Sequence, residues 1–319
     1  MIARAVARSL LVLTLLLPAA AAGAAPERAV LYALLDGPHR SETLIIARTG
    51  SNPAKLQPRL QRAVDYIVRH LEGTRIRRGL ALVTTSNAEL LRMLRQGRVD
   101  IIPDTLFTAL LFRELGGAEI LLREWRDGVP NYSTMFITRE DSNIHGLDDL
   151  RGRRIVFEDE TSTSAFRLPL AVLKRHGLRG ERLDGLDDTP TGDRVGYLFA
   201  GREEEAIRWV AEGLVDAGAI SNLDWVDLET TPPELRSRVR LLTMTEPVVR
   251  SVLSLRGDLE PLLREEIRRV FLSMHETEDG RVVLRRDLRA SRYDAFVGAA
   301  QQELERSIEL LLPVLDETE

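Results

Sequence analysis

Residues 151–177 read RGRRIVFEDETSTSAFRLPLAVLKRHG, and this stretch decides the fold. Arg151-Gly152 make a tight turn ahead of a short apolar strand, Arg154-Ile155-Val156-Phe157. Three acids follow, Glu158-Asp159-Glu160, and then four hydroxyls in a row, Thr161-Ser162-Thr163-Ser164. Beyond them Phe166, Leu170 and Leu173 recur near one helical face, with Pro169 close to the first turn, where a missing N–H costs least. Lys174-Arg175-His176 and Gly177 are what a helix C-terminus favours. The order is therefore strand, polar loop, helix. The first N–H groups of a helix have no acceptor within it, and its dipole adds partial positive charge there. One hydroxyl at that position serves as an N-cap. Four in succession exceed what capping needs and suit a tetrahedral oxyanion, which takes donors from several directions.

On the N-terminal side, Ala29–Leu35 is predicted as a first strand. Leu44–Ala47 reads either as the second strand of a hairpin or as part of an irregular loop, and residues 49–53 are turn chemistry. Leu60, Val64, Ile67, Val68 and Leu71 place an amphipathic helix over 58–72. A strand over 79–83, a helix over 86–96 and an apolar strand over 98–102 continue the alternation expected of an α/β sheet with right-handed crossovers. Thr105 follows at the carboxyl end of that strand, where open α/β sheets bind ligands. It is either a donor to a ligand or the cap of a helix over 106–115. On the C-terminal side, 183–191 is a mobile surface loop, 201–212 a helix and 215–220 a strand repeating the V-D-apolar phrase of Val99–Ile102. Such an echo fits two lobes built on one plan. Residues 240–242 and 251–255 are expected to return the chain to the first lobe. Helices over 260–274 and 301–312 are expected to pack there, with 280–293 a connector.

Residues 128–177, GVPNYSTMFITREDSNIHGLDDLRGRRIVFEDETSTSAFRLPLAVLKRHG, resemble the central part of the phosphate/phosphite/phosphonate-binding proteins of ABC importers. The family's D-P-x-S-T-S-G-like loop corresponds to Asp159–Ala165, without the Pro and final Gly of that pattern. A weaker resemblance runs from Leu60 to Asp258. It implies an α/β, two-lobed type II periplasmic binding protein, each lobe a mixed, mostly parallel sheet flanked by helices, with two interlobe crossings. Lobe 1 would hold 26–131 and 246–319, and lobe 2 would hold 132–245. It implies a small phosphorus oxyanion (phosphonate, phosphite or phosphate) bound in the interlobe cleft by Thr161, Ser162, Thr163 and Ser164 and handed to permease subunits. Tyr132 matches the family's ligand-contacting tyrosine, and Ser133 follows it as in many members. Arg202 and Glu203 stand where the family often has a histidine, and Arg202 is either a bidentate anion ligand or a solvated partner of Glu203, Glu204 or Glu205. Ser221 lines the carboxyl end of the echoed strand. Asp159, which accepts hydrogen bonds but cannot donate them when ionised, would favour an anion that still carries a proton, or a ligand with an amine.

The chain has 319 residues, no cysteine, 44% hydrophobic residues and a formal charge of −5. That length suggests two domains, and the apolar content is enough for real cores. Without cysteine there is no disulfide framework, no thiolate metal site and no lipobox anchor. Arg4 and Arg8, the apolar run Leu10–Leu17 and the small residues after Pro18 read as a cleaved secretory signal over 1–25. Its removal deletes two arginines and no acid, which takes the formal charge from −5 to −7. An acidic exported protein is a poor partner for nucleic acid, and no later stretch is apolar enough to insert in a membrane. No metal and no cofactor is expected, and a monomer is. The five histidines are scattered, and neither an H-E-x-x-H nor a G-x-S-x-G nor a G-x-x-x-x-G-K-[ST] motif is present. The expectation is a periplasmic binding protein and not an enzyme. A ligand-sensing adaptor for a membrane partner, a receptor for another small anion such as a sulfonate, and a hydrolase using one of Thr161 to Ser164 stay open as alternatives.

Overall fold

The computed structural model describes residues 34–226 and 232–315. The expected signal segment and most of the expected strand at 29–35 lie outside them, and Leu34 and Leu35 carry helical backbone. The chain forms two compact units. Unit 1 runs to Gly128 and resumes over Ser251–Ala295, while unit 2 is Val129–Arg250 and the chain from Phe296 onward.

Unit 1 begins with β1 (Thr43–Thr49), then α1 (Pro53–His70), β2 (Arg78–Thr84), α2 (Asn87–Arg95), β3 (Ile101–Thr105), α3 (Leu106–Gly116) and β4 (Ala118–Arg126). β1 pairs parallel with both β2 and β3. Leu44–Ala47 is thus neither hairpin nor loop but the middle of a central strand, with all four residues fully buried. A continuous apolar run covered on both faces is what a parallel strand requires. α1 starts five residues before the predicted Pro58, because Asn52 caps it, accepting the Lys55 N–H at 3.1 Å, and Pro53 occupies its first position.

Unit 2 opens with β5 (Asn131–Tyr132) and β6 (Thr134–Arg139). β7 (Arg154–Phe157) falls on the predicted residues. A π-helical turn, Thr163–Arg167, then runs into α4 (Leu168–Arg175). β8 (Gly180–Arg182), β9 (Val195–Phe199), α5 (Glu203–Glu212), β10 (Ala217–Ser221), β11 (Val239–Met244) and β12 (Val248–Val249) follow. The second sheet has the order β11-β6-β10-β7-β9-β8. Within it β10, β7, β9 and β8 are parallel, and β6 pairs antiparallel with both β10 and β11. β11 therefore stays in unit 2 and does not return the chain to the first lobe.

β13 (Ser251–Arg256) inserts into the unit 1 sheet between β3 and β4, antiparallel to both. α6 (Pro261–Ser273) covers that sheet. The predicted connector at 280–293 instead folds as short helical turns and β14 (Ala290–Ala295), which pairs with β4. Phe271 and Tyr293 meet edge to face at 4.8 Å and anchor this segment in the core. The closing helix α7 (Ala299–Leu311) packs on α4 and β12 in unit 2, not on the first lobe as expected. The chain consequently passes between units three times rather than twice.

The repeated V-D phrase has one structural meaning in both sheets. Asp100, 2% exposed, precedes β3 and accepts the Ile45 N–H of the neighbouring strand at 2.9 Å. Asp216 precedes β10 and accepts the Arg154 N–H at 2.9 Å. Each carboxylate extends a parallel ladder by one bond at a strand entrance.

Gly218 in β10 sets how closely α5 approaches the sheet. A Cβ there would stand 2.9 Å from Val210 Cγ2 and 3.3 Å from Val156 Cγ1. Gly218→Val is expected to destabilise the protein by about 1–3 kcal/mol through overpacking. Urea denaturation checks this, and an unchanged midpoint contradicts it.

Candidate functional site

In unit 2 the carboxyl ends of β7, β9 and β10 lie along one edge of the sheet, where ligands of open α/β sheets bind. β6 begins at the same edge, since Thr134 pairs with Ser221. Four chain segments therefore bring polar residues together there: 158–164, 201–203, 221–224 and 132–134.

The hydroxyl loop is held from within and from below. Asp159 Oδ1 accepts both the N–H of Thr161, at 2.7 Å, and its hydroxyl, at 2.6 Å. Thr161 is exposed, and that pairing uses its hydroxyl to close the turn. Ser162 is the N-cap and accepts the Ala165 N–H at 3.1 Å. The Arg167 N–H reaches the Ser162 carbonyl at 3.1 Å, a wide-ring bond that produces the π turn. Thr134 donates its hydroxyl to the Ser164 carbonyl. Beneath the turn Phe166 packs edge to face on Phe199 at 4.8 Å and against Phe157 at 5.2 Å. Thr163 and Ser164 are buried at the head of a continuous helical run, 163–175. Neither the Ser164 hydroxyl nor its N–H has an acceptor among the described residues.

Ser133 and Asn222 clamp the neighbouring segments. The Ser133 N–H donates to Asn222 Oδ1 at 2.8 Å, and the Asn222 N–H donates to the Ser133 carbonyl at 3.0 Å. This pair explains the break between β5 and β6. Tyr132 is buried in β5 against Val248. Ser221 is buried and its hydroxyl accepts the Leu223 N–H at 3.1 Å.

Two further predicted residues, Thr105 and Arg202, have partners of their own. Thr105 belongs to unit 1, at the carboxyl end of β3, with its hydroxyl 3.2 Å from that of Thr108 and its N–H on Asp104 Oδ1 at 2.7 Å. Arg202 has a side chain 70% exposed and pairs with Glu205 at 3.4 Å. The next residue, Glu203, turns inward instead. It is 6% exposed, with Oε1 accepting the Ser221 N–H at 3.1 Å. Of the two residues at the family's histidine position the sequence reading takes only Arg202 as a ligand candidate, although a signal for Glu203 is present. Glu203, Ala206, Ile207 and Val210 share the apolar face of α5, so an acid heads a buried stripe.

Carboxyls dominate the electrostatics here. Burial, with the charges of Asp159 and Asp224, pushes the Glu158 carboxyl up to about 7, against a hydrogen bond from Ser162. Burial, then the side chain of Asp224 and the charge of Glu158, raise Glu203 well above the carboxylate range. Among the described residues no group of three or more His, Asp or Glu is arranged to hold a metal ion. A cavity of about 520 Å³ lined by Phe136, Leu147, Val172, His176 and Leu242 also lies in unit 2, and shares Thr245 with the residues bonded to Thr134.

The family model for the phosphonate periplasmic substrate-binding proteins of ABC transporters matches residues 36–304. XAC2383 from Xanthomonas citri, solved with ATP, is 31% identical with a TM-score of 0.78, over 88% of this chain and all of that one. PhnD1 from Prochlorococcus marinus, solved with methylphosphonate, shares the fold at 19% identity and a TM-score of 0.59, over 85% of this chain and 99% of that one. The phosphate-import protein PhnD of Mycolicibacterium smegmatis is 32% identical over 92 residues, 28% of this chain. The chain spans 27% of that relative's length and 50% of the probable phosphite-binding protein of Prochlorococcus marinus, 27% identical over 47% of this chain. Among the described residues no helix is long and apolar enough to cross a membrane.

Proposed function

Because the chain belongs to the phosphonate-binding periplasmic substrate-binding proteins of ABC transporters, which are transport proteins and not enzymes, we propose that it captures a small phosphorus oxyanion and delivers it to an importer's permease. Export would proceed through the signal at 1–25. Ser162, Thr163 and Ser164 hold the anion at the head of the 163–175 helical run, with Tyr132 and Ser133 beside them. The observation that carries this reading is Ser164, whose hydroxyl and N–H are both without a partner among the described residues while its carbonyl is fixed by Thr134. A donor pair held in place costs little further ordering when an anion arrives. Asp159 has one oxygen engaged by Thr161, so it shapes the loop as well as facing the anion.

A thermal-shift panel tests the reading: phosphate, phosphite, methylphosphonate, aminoethylphosphonate, sulfate, taurine and ATP. ATP belongs there because its terminal phosphate presents similar tetrahedral oxygens and a relative was solved with it. A ligand at a hundred times its Kd stabilises by about 2.7 kcal/mol, worth roughly 5–10 °C in a domain of this size. A shift with a phosphorus oxyanion and none with sulfate or taurine is expected. A shift with taurine alone would move the assignment to a sulfonate.

A further inference from the structure

The peptide that follows Ser164 is fixed at both ends. Its N–H, on Ala165, donates to the Ser162 hydroxyl at 3.1 Å. Its carbonyl, on Ser164, accepts the hydroxyl of Thr134 from β6. The first bond is ordinary capping within the turn. The second reaches across 30 residues of chain and has a cause outside the turn's own hydrogen bonds.

That cause is the π register together with Pro169. In this register each carbonyl accepts the N–H five residues on. The Arg167 N–H takes the Ser162 carbonyl, and the Leu168 N–H takes the Thr163 carbonyl. Ser164 is next, and the matching donor would come from residue 169, a proline without an N–H. The Ser164 carbonyl is left over at a buried position, where water is a poor substitute. Thr134 supplies the donor. It is fully buried, its N–H donates to the Thr245 hydroxyl at 3.0 Å, and its carbonyl accepts the Thr245 N–H at 2.9 Å. On the other side it stands opposite Ser221 of β10. Its backbone is thus held from both flanks, and a β-branched side chain has little freedom at χ1.

Resting on the oxyanion reading above, we propose that Thr134 is the positioning residue of the anion loop: its hydroxyl stands in for the N–H that Pro169 lacks, and so fixes the direction in which the Ser164 N–H and hydroxyl point. Thr134 touches no ligand in this role. It acts through Ser164, whose backbone moves with the peptide that follows it. Without the tie, that peptide turns to find another donor and carries the Ser164 donors off line. Hydrogen bonds weaken steeply as they bend.

Calorimetry with methylphosphonate on Thr134→Val and Thr134→Ser tests the role. Valine keeps the shape and removes the donor, while serine keeps the donor and removes a methyl group. Thr134→Val is expected to weaken binding about tenfold, the low end for a hydrogen bond to a charged acceptor, and Thr134→Ser to stay close to the parent. A Thr134→Val protein that melts lower yet binds as tightly as its parent makes the tie purely structural and overturns the proposal. So does a Thr134→Ser protein that binds as weakly as Thr134→Val. The route through Ser164 is tested by combination. Added to Ser164→Ala, Thr134→Val is expected to cost clearly less than its own tenfold, because the group it aims has lost its hydroxyl. Full additivity overturns the route. Pro169→Ala added to Thr134→Val returns the missing N–H and is expected to recover part of the affinity. No recovery overturns Pro169 as the origin of the tie.

A readout without ligand separates this role from the functional reading. Amide hydrogen exchange over 162–168 is expected to be faster in Thr134→Val than in the parent or in Thr134→Ser. Equal exchange in all three overturns the tie. If no phosphorus oxyanion binds the parent, the functional reading falls and the aiming role with it, while exchange still decides whether Thr134 holds the turn.

Discussion

Ser164→Ala is expected to weaken phosphorus oxyanion binding roughly ten- to a hundred-fold while leaving Tm within a degree or two. The asymmetry follows from what Ser164 does in the free chain. Its hydroxyl makes no hydrogen bond among the described residues, so removing it costs the fold little. A hydrogen bond to a charged acceptor contributes about 1.5–3 kcal/mol, and each 1.4 kcal/mol is a factor of ten in Kd. Ser162→Ala is the contrasting case. Ser162 caps the helical run through the Ala165 N–H and donates toward Glu158, so its loss is expected to lower stability by about 1 kcal/mol as well as affinity. Calorimetry and thermal melts on the two variants separate the roles. A Ser164→Ala protein that binds methylphosphonate as tightly as its parent would remove the hydroxyl from the anion contacts.

Asp100→Ala is expected to destabilise the protein by about 3–5 kcal/mol, the range for breaking a buried charge network. Asp100 accepts from Arg40 at 2.6 Å, from Arg256 at 3.2 Å and from the Ile45 N–H, and its own N–H bonds the Ile45 carbonyl at 2.9 Å. Removing the carboxylate strands two partly buried guanidinium groups and a buried amide. Asp216→Ala should cost less. Its partner Arg153 is 41% exposed and Asp216 itself 26%, so water replaces more of what is lost. Urea denaturation of both variants checks the order, and equal midpoints would mean that burial does not decide the difference.

The two aspartates also show why some features were legible and others were not. The V-D-apolar phrase appears twice in the sequence and marks a strand entrance twice in the structure, because a short acceptor before an apolar run has one local use. β7 and the loop after it were legible for a similar reason, since their signals lie within a few residues of one another. Leu44–Ala47 was ambiguous. Four apolar residues fit a hairpin, a loop or a central strand equally well until the neighbours on both sides are known. α7 misled in a different way. Its amphipathic pattern fixed a helix over almost the right residues but carried no address, and packing on α4 and β12 placed it in unit 2.

The site divides along the same line. The sequence determined that four consecutive hydroxyls would head a helix, that the chain would alternate strand and helix, and which family it resembles. The first two follow from composition and periodicity over short windows, where each residue acts on near neighbours, and the resemblance rests on the motif stretch at 128–177. Tertiary structure decided that Arg202 faces solvent while Glu203 turns inward, that Ser133 clamps Asn222, and that Glu158, Glu203 and Asp224 share one edge. Those residues meet only because the sheet brings the carboxyl ends of its parallel strands and the start of antiparallel β6 to one edge, across separations of up to 89 residues. The energy of a buried carboxyl is set by those distant neighbours, and no local pattern encodes it.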